Sequence, residues 1–285
     1  MMKDKMIINA RGLGYDYYNH KIFAMLSDLE SFYGFLSDSS FGNVDGLFLT
    51  QKISYQNKIY ASMQGSIESI KILVYIGRLN DAFALVRKYY DAVDTDIYQS
   101  ILTKEEEKDF LDYGASKNSV ISAWTYAQEH LYDKPSKKNK PPRTYEDKNR
   151  ALKELDNDLF KITSDIKKKQ SKDICNDNMH YNSWDNFVLN VNESFDSTNK
   201  INALNEMFEN ISMVICCHFS YIYRLHPEYY SSSDYGDALD MGISPEADSQ
   251  YWVAPIVQDI FDKYIKTYSK QLTTYILNIK SINFQ

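Results

Sequence analysis

Few residues in this chain can break a regular backbone: there are six prolines and ten glycines among 285 residues. All-β architectures draw heavily on both for their turns, so the shortage points away from sheets and toward helices. Cysteine is rarer still, with only Cys175, Cys216 and Cys217. Neighbouring positions on a helix point about 100° apart, so Cys216 and Cys217 do not bridge each other. No CxxC pair is present to support a zinc knuckle or a dithiol centre. Three unpaired thiols and an N-terminus too weakly apolar for a secretory leader fit the cytoplasm. Histidine occurs five times. His218 and His226 stand eight apart without the three or four converging ligands that a metal needs, so neither a metal nor a cofactor is expected. The P-loop and Rossmann glycine patterns, HExxH and GxSxG are all missing, which removes the common nucleotide cradles and two hydrolase classes. Long hydrophobic runs are absent too. The most apolar stretch, ISMVICCHFSYIY at 211–223, is shorter than the roughly 20 residues that span a bilayer and reads as a central core helix. Net charge is -7, so the chain as a whole lacks the basic stripe of a phosphate-gripping protein. Its local basic clusters, Lys137, Lys138 and Lys140, then Lys167, Lys168 and Lys169, read as a solvated loop and a solvated helix face.

What remains is a chain with 44% hydrophobic residues and 24 tyrosines, enough for a sizeable core. Apolar residues recur at helical spacing through Ile22, Phe23, Leu26, Leu29 and Phe32, then through Ile59, Met63, Ile67, Ile70 and Val74. Gly77 predicts a left-handed stop and Asn80 an N-cap, so 52–102 reads as an antiparallel helical hairpin. SDSSFGNVDG (37–46) reads as a loop, and short helices are expected within 103–131. A lysine- and proline-rich loop follows at 133–143. Thr144 and Asp147 predict the cap of one long helix carrying Leu152, Leu155, Leu159, Ile162 and Ile166. Another helix covers about 199–225, stopped by Pro227. The polar stretch 231–252 reads as a long loop without a sustained period, held by Trp252 and Pro255 to a last helix at about 253–280. The expectation is an all-α helical bundle with long antiparallel helices, in one domain from which the 133–143 loop protrudes.

Two polar constellations carry chemistry. In GRLNDAFALVRKYYD (77–91), Arg87 and Asp91 are four apart and can pair on a helix. Arg87 is embedded among apolar residues, where an arginine must meet an acid or an anion. It is either a structural ion pair or a phosphate-binding guanidinium. Arg78 is a second candidate for phosphate binding. In CNDNMHYNSWD (175–185), Asn176 and His180 share a helical face and Lys172 lies two turns before His180. A histidine exchanges protons near pH 7, so this is either a site or a polar helix end. His218, between Cys217 and Phe219, reads as a satisfied core histidine. The serine run at 231–233 is either an anion-binding turn or a rigid loop that seals the bundle end.

The run SIESIKILVYIGRLNDAFALVRKYYDAVDTDIY resembles the paired helices of an uncharacterised bacterial family. Its paired helices are followed later by an isolated histidine in an Asn/Ser setting, as in CNDNMHYNS here. The paired helices are also similar to the HEPN superfamily of helical bundles. That resemblance implies a HEPN-like core and metal-independent RNA cleavage in defence or stress response, with a site completed across a homodimer. The superfamily places an arginine four to six residues before its histidine. Here the nearest preceding basic residue to His180 is Lys172, with seven residues between. His180 alone carries over as a catalytic position, and Arg87 as its spatial partner comes from the residues themselves. Some members have lost the motif and serve as binding or scaffold domains.

Two functions follow as expectations. In the first, RNA or a nucleotide is the ligand: His180 is the acid/base, Arg87, Arg78 and Lys172 hold phosphate, and Asn176 orients the imidazole. In the alternative, the Arg and His motifs are structural, and a protein partner docks on 207–225 or 231–252. Neither reading involves a membrane.

Overall fold

The computed structural model describes residues 13–42, 50–105, 145–169, 175, 183–191 and 197–285. Among them the chain is helical, with two isolated bridges, Ser231 with Val253 and Trp252 with Asn283, as the extended pairings. A short α1 (Tyr15–Tyr18) leads into α2 (Ile22–Gly42), α3 (Thr50–Tyr75) and α4 (Leu79–Glu105). Each long helix lays an apolar stripe inward. Ile22, Met25, Leu26, Leu29 and Phe32 of α2 meet Met63, Ile67, Ile70 and Val74 of α3. The all-α bundle of long antiparallel helices is therefore the architecture of the described chain.

The tip of the α3–α4 hairpin follows from one glycine. Gly77 takes φ 74°, a region open to glycine at little cost. It closes a paired cap in which Gly77 N–H donates to Val74 O (3.0 Å) and Arg78 N–H to Leu73 O (2.8 Å). Asn80 does not cap α4, because the helix already begins at Leu79. The capping oxygen comes from elsewhere: Asn190 Oδ1 accepts from the backbone N–H of Asn80 at 3.1 Å.

The 37–46 stretch is not a loop in its first part, since α2 runs on to Gly42. The Ser39 and Ser40 hydroxyls donate to carbonyls three residues back, Leu36 O and Ser37 O. That back-bonding lets serine stay inside a helix. The long helix expected after Thr144 is two helices, α5 (Tyr145–Leu155) and α6 (Asn157–Lys169). Asp156 breaks it by taking the capping role, accepting from the N–H groups of Asp158 (3.1 Å) and Leu159 (3.0 Å). Its second oxygen accepts from Tyr275 Oη (2.6 Å) and Arg224 Nε (3.1 Å). One carboxylate thus ties α6 to two other helices.

After α7 (Trp184–Val188), the long α8 (Ser197–Leu225) runs through the centre. Every residue from Asn210 to Tyr223 is buried. A helix apolar on all sides belongs in a core, and α8 packs on α2, α4, α6 and the C-terminal helices. Phe219 lies among Phe32, Tyr230, Phe261 and Phe284. Truncating a buried aromatic of this kind costs about 3–5 kcal/mol.

A 3-10 turn (Pro227–Tyr230), α9 (Asp234–Asp240) and a second 3-10 turn (Ser249–Tyr251) follow, so 231–252 carries its own short helices. The C-terminal segment is interrupted. It runs through α10 (Pro255–Ile260), a π turn (Phe261–Ile265), α11 (Lys266–Tyr268) and α12 (Lys270–Ile279). Ser269 breaks the continuous helix expected at 253–280. Its backbone is extended (φ −145°, ψ 108°) and its hydroxyl caps α12 by accepting from Leu272 N–H.

Candidate functional site

Arg78 and Arg87 sit on the hairpin, nine residues apart, or about 13 Å of helical rise. They do not converge. The Arg78 guanidinium donates to the Asn190 carbonyl, where it pins the turn at 189–190 against the hairpin tip. Lys200 works at the same spot, its buried ammonium donating to Gly77 O (2.9 Å) and Leu189 O (3.2 Å). Burial, helped by the nearby Arg78 charge, pulls the Lys200 pKa down to about 8. In this contact Arg78 serves the structure of the hairpin tip.

Arg87 is half-buried and pairs with Asp91 at 3.1 Å. Its guanidinium lies 5.4 Å from the centre of the Tyr90 ring, within cation–π range. The charge of Arg87 also reaches the buried Cys175 thiol. Burial pushes that thiol up to about 11 while Arg87 pulls the other way. Lys172, Asn176 and His180 lie outside the described residues, as do the 133–143 loop, the Lys137, Lys138 and Lys140 cluster, the Thr144 cap and, beyond the end of α4 at Glu105, the rest of the 103–131 stretch where short helices were expected.

The second basic cluster divides. Lys168 is exposed and pairs with Asp165 on its own helix. Lys167 is not a solvated residue: it reaches Asp94 on α4 at 2.8 Å, and both side chains are largely covered. Burial is the largest influence and opposes its charge, but Asp94, Cys217 and Tyr90 together outweigh it and raise the ammonium pKa.

The interior holds a polar chain whose links are far apart in sequence. His218 on α8 is fully buried, as the core reading expected. Its Nε2 is 3.0 Å from Asp96 Oδ2 on α4, and its Nδ1 is 2.7 Å from Tyr33 Oη on α2. Tyr33 Oη is in turn 2.6 Å from Tyr89 Oη. A carboxylate can only accept, so Nε2–H donates to Asp96. With a neutral imidazole, Tyr33 then donates to Nδ1 and Tyr89 donates to Tyr33. Burial raises the Tyr33 pKa well above its ordinary value, which keeps the donor proton in place.

No protein-family model, curated protein or solved structure matches this chain. Function must therefore be read from its own surface and interior. Among the described residues no group of His, Cys, Asp and Glu is placed to hold a metal ion. No described helix is long and apolar enough to cross a membrane. The central helix leaves no docking face on 210–223, because none of those residues reaches solvent. The partner surface expected on 207–225 is therefore closed along that stretch.

The segment 231–252 is different. α9 ends in another paired cap, where Gly242 (φ 67°) donates to Leu239 O at 3.0 Å and Ile243 N–H to Ala238 O at 2.9 Å. That cap normally covers apolar side chains. Here Leu239, Met241 and Ile243 stay 53%, 68% and 56% exposed. The same segment carries Asp234, Asp237, Asp240, Glu246 and Asp248, and no Lys or Arg occurs from 225 to 262. Ser232 N–H donates to Trp252 O at 2.7 Å and Ala254 N–H to Tyr230 O at 2.9 Å, so the two ends of the segment are fastened to each other. In the serine run, Ser231 Oγ donates to Glu228 O, and Ser232 Oγ accepts from the Asp234 N–H at 3.4 Å. Periodicity could not flag this lobe, because its apolar residues alternate with acids and glycine over a few positions only.

Proposed function

We propose that this protein is a helical interaction protein that docks a protein partner through 231–252, with its Arg and buried His motifs serving structure. The observation that carries the reading is the exposed Leu239, Met241 and Ile243 trio on an acidic lobe whose helix ends in a paired cap. Large apolar side chains held in place at a surface mark interaction sites, and a pre-organised backbone lowers the entropy lost on binding. The acidic border selects a partner with a basic rim around an apolar pocket. A second copy of this chain is disfavoured on this face, since self-pairing would set like charges opposite one another. The Arg78 and Arg87 contacts agree with this reading, because both guanidinium groups already have partners.

A second reading, RNA cleavage or nucleotide binding by a HEPN-like site, has one observation in its favour. The Arg87 charge reaches Cys175, five residues before His180 in the sequence. One experiment separates the two. Cells carrying the protein with Met241→Asp and Ile243→Asp, or with His180→Ala, are compared for a defined cross-linked partner and for cleavage of labelled RNA. The interaction reading expects a single partner to be lost in the first variant and kept in the second, with no RNA cleavage by either or by the parent. RNA cleavage by the parent that His180→Ala abolishes would overturn it.

A further inference from the structure

A groove of about 360 Å³ opens between α3 and α4, and none of the residues that line it belongs to the 231–252 lobe. Ile59, Met63 and Ala92 give it an apolar lining, and Ser62 stands beside them. Ile59 and Met63 are four apart on α3, and Ala92 and Asp96 four apart on α4, so each helix presents one face to the space. Lys88 and Asp91 also line the groove, with opposite charges. Asp96 completes the lining although it is only 2% exposed. Its Oδ2 accepts from His218, but its Oδ1 is buried with no hydrogen-bond partner among the described residues.

Buried polar atoms in native proteins nearly always have partners, and an exception calls for an explanation. A carboxylate oxygen is an especially costly atom to leave without a donor. The nearby Tyr60 hydroxyl is also buried without a partner among the described residues, and the Asp96 charge helps burial raise its pKa. An acceptor is thus left over on a residue that lines an apolar groove of small-molecule size. His218 holds Asp96 in place through Tyr33 and Tyr89, so the carboxylate is fixed before anything arrives.

We propose that this groove binds a small organic cation, an ammonium or amidinium group on a short apolar body. Its N–H donors reach Asp96 Oδ1 while the body lies on Ile59, Met63 and Ala92. Asp91 is engaged by Arg87 and Lys88 stands at an exposed position, so the buried Asp96 sets the charge of the ligand. The site is independent of the 231–252 surface and stands or falls without it.

Titration calorimetry with 3-methylbutylammonium chloride tests the assignment, with 3-methylbutan-1-ol as the uncharged match in shape. The folded wild-type protein is expected to bind the ammonium at least about tenfold more tightly than the alcohol. Ser62→Leu fills the groove from an exposed position and leaves the His218 chain intact, so it should abolish binding. Asp96→Asn, where circular dichroism shows it folded, should bring the ammonium down to the level of the alcohol. Absence of ammonium binding at millimolar concentration overturns the proposal. Equal binding of the alcohol, or unchanged binding in Ser62→Leu, overturns it as well.

Discussion

Removing one hydroxyl from the interior distinguishes a polar chain that locks the bundle from a set of incidental contacts. Tyr33 Oη touches both Tyr89 Oη and His218 Nδ1, whereas the one hydrogen bond shown for Tyr89 Oη is that to Tyr33. Tyr33→Phe therefore leaves two buried polar groups without partners. At about 1–3 kcal/mol for each abandoned group, the loss should reach about 2–6 kcal/mol. Tyr89→Phe removes a single hydrogen bond and its own buried hydroxyl together, so it should cost about 1 kcal/mol. The double variant no longer strands the Tyr89 hydroxyl, and should fall short of the sum of the singles by about 1 kcal/mol or more. Urea unfolding followed by circular dichroism measures all three, with an unchanged slope showing that midpoints report stability. Equal losses in the two single variants, or strict additivity in the double, would refute the reasoning.

Asp156→Ala should destabilise the protein by about 2–4 kcal/mol, since it removes a helix cap and two side-chain hydrogen bonds at once. Asp156→Asn should cost less. Burial works against the Asp156 charge, but the Leu159 N–H, Tyr275 and Arg224 outweigh it and lower the pKa. The ionic part of its contribution is thus present in full above the unfolded value near 3.9 and is lost as pH falls through the lower folded value. Unfolding curves of the parent and Asp156→Asn should converge in that acid range. Lys200 acts in the opposite direction. Its folded pKa of about 8 lies below the unfolded 10.5, so the unfolded chain binds more protons between them. This group makes stability rise with pH from 8 upward, and Lys200→Met should flatten that slope up to roughly pH 9.5, before tyrosines ionise in the unfolded chain.

The helices were legible because their stripes repeat over many turns. Ile22, Leu26, Leu29 and Phe32, then Met63, Ile67, Ile70 and Val74, are buried as their spacing requires, while Phe23 and Ile59 at the stripe edges are partly buried. The breaks were not legible. Asp156 and Ser269 are ordinary polar residues, and each interrupts a helix only because its oxygen finds the backbone N–H groups of the next one. Asn80 looked like a cap, but the capping oxygen came from Asn190, 110 positions away. Tertiary contacts of that length leave no local trace. His218 was read correctly as a core residue from its apolar neighbours, while its partners Tyr33 and Asp96 came from two other helices. Arg87 and Asp91 met as their i,i+4 spacing requires. Lys167 looked solvated within a lysine run, and only the packing of α6 near α4 brought it to Asp94.

The burial of α8 from Asn210 to Tyr223 has a consequence for the order of events during synthesis. A ribosome emits the α2, α3 and α4 segments long before residues 197–225 exist, so the surfaces of Phe32, Tyr33 and Tyr89 that α8 will cover have nothing to close on. Nascent chains in that interval expose an adhesive apolar face, the usual substrate for holding chaperones. Fragments that stop short of residue 197 should therefore come out as aggregates, whereas completion of α8 converts the same face into the interior of a finished bundle.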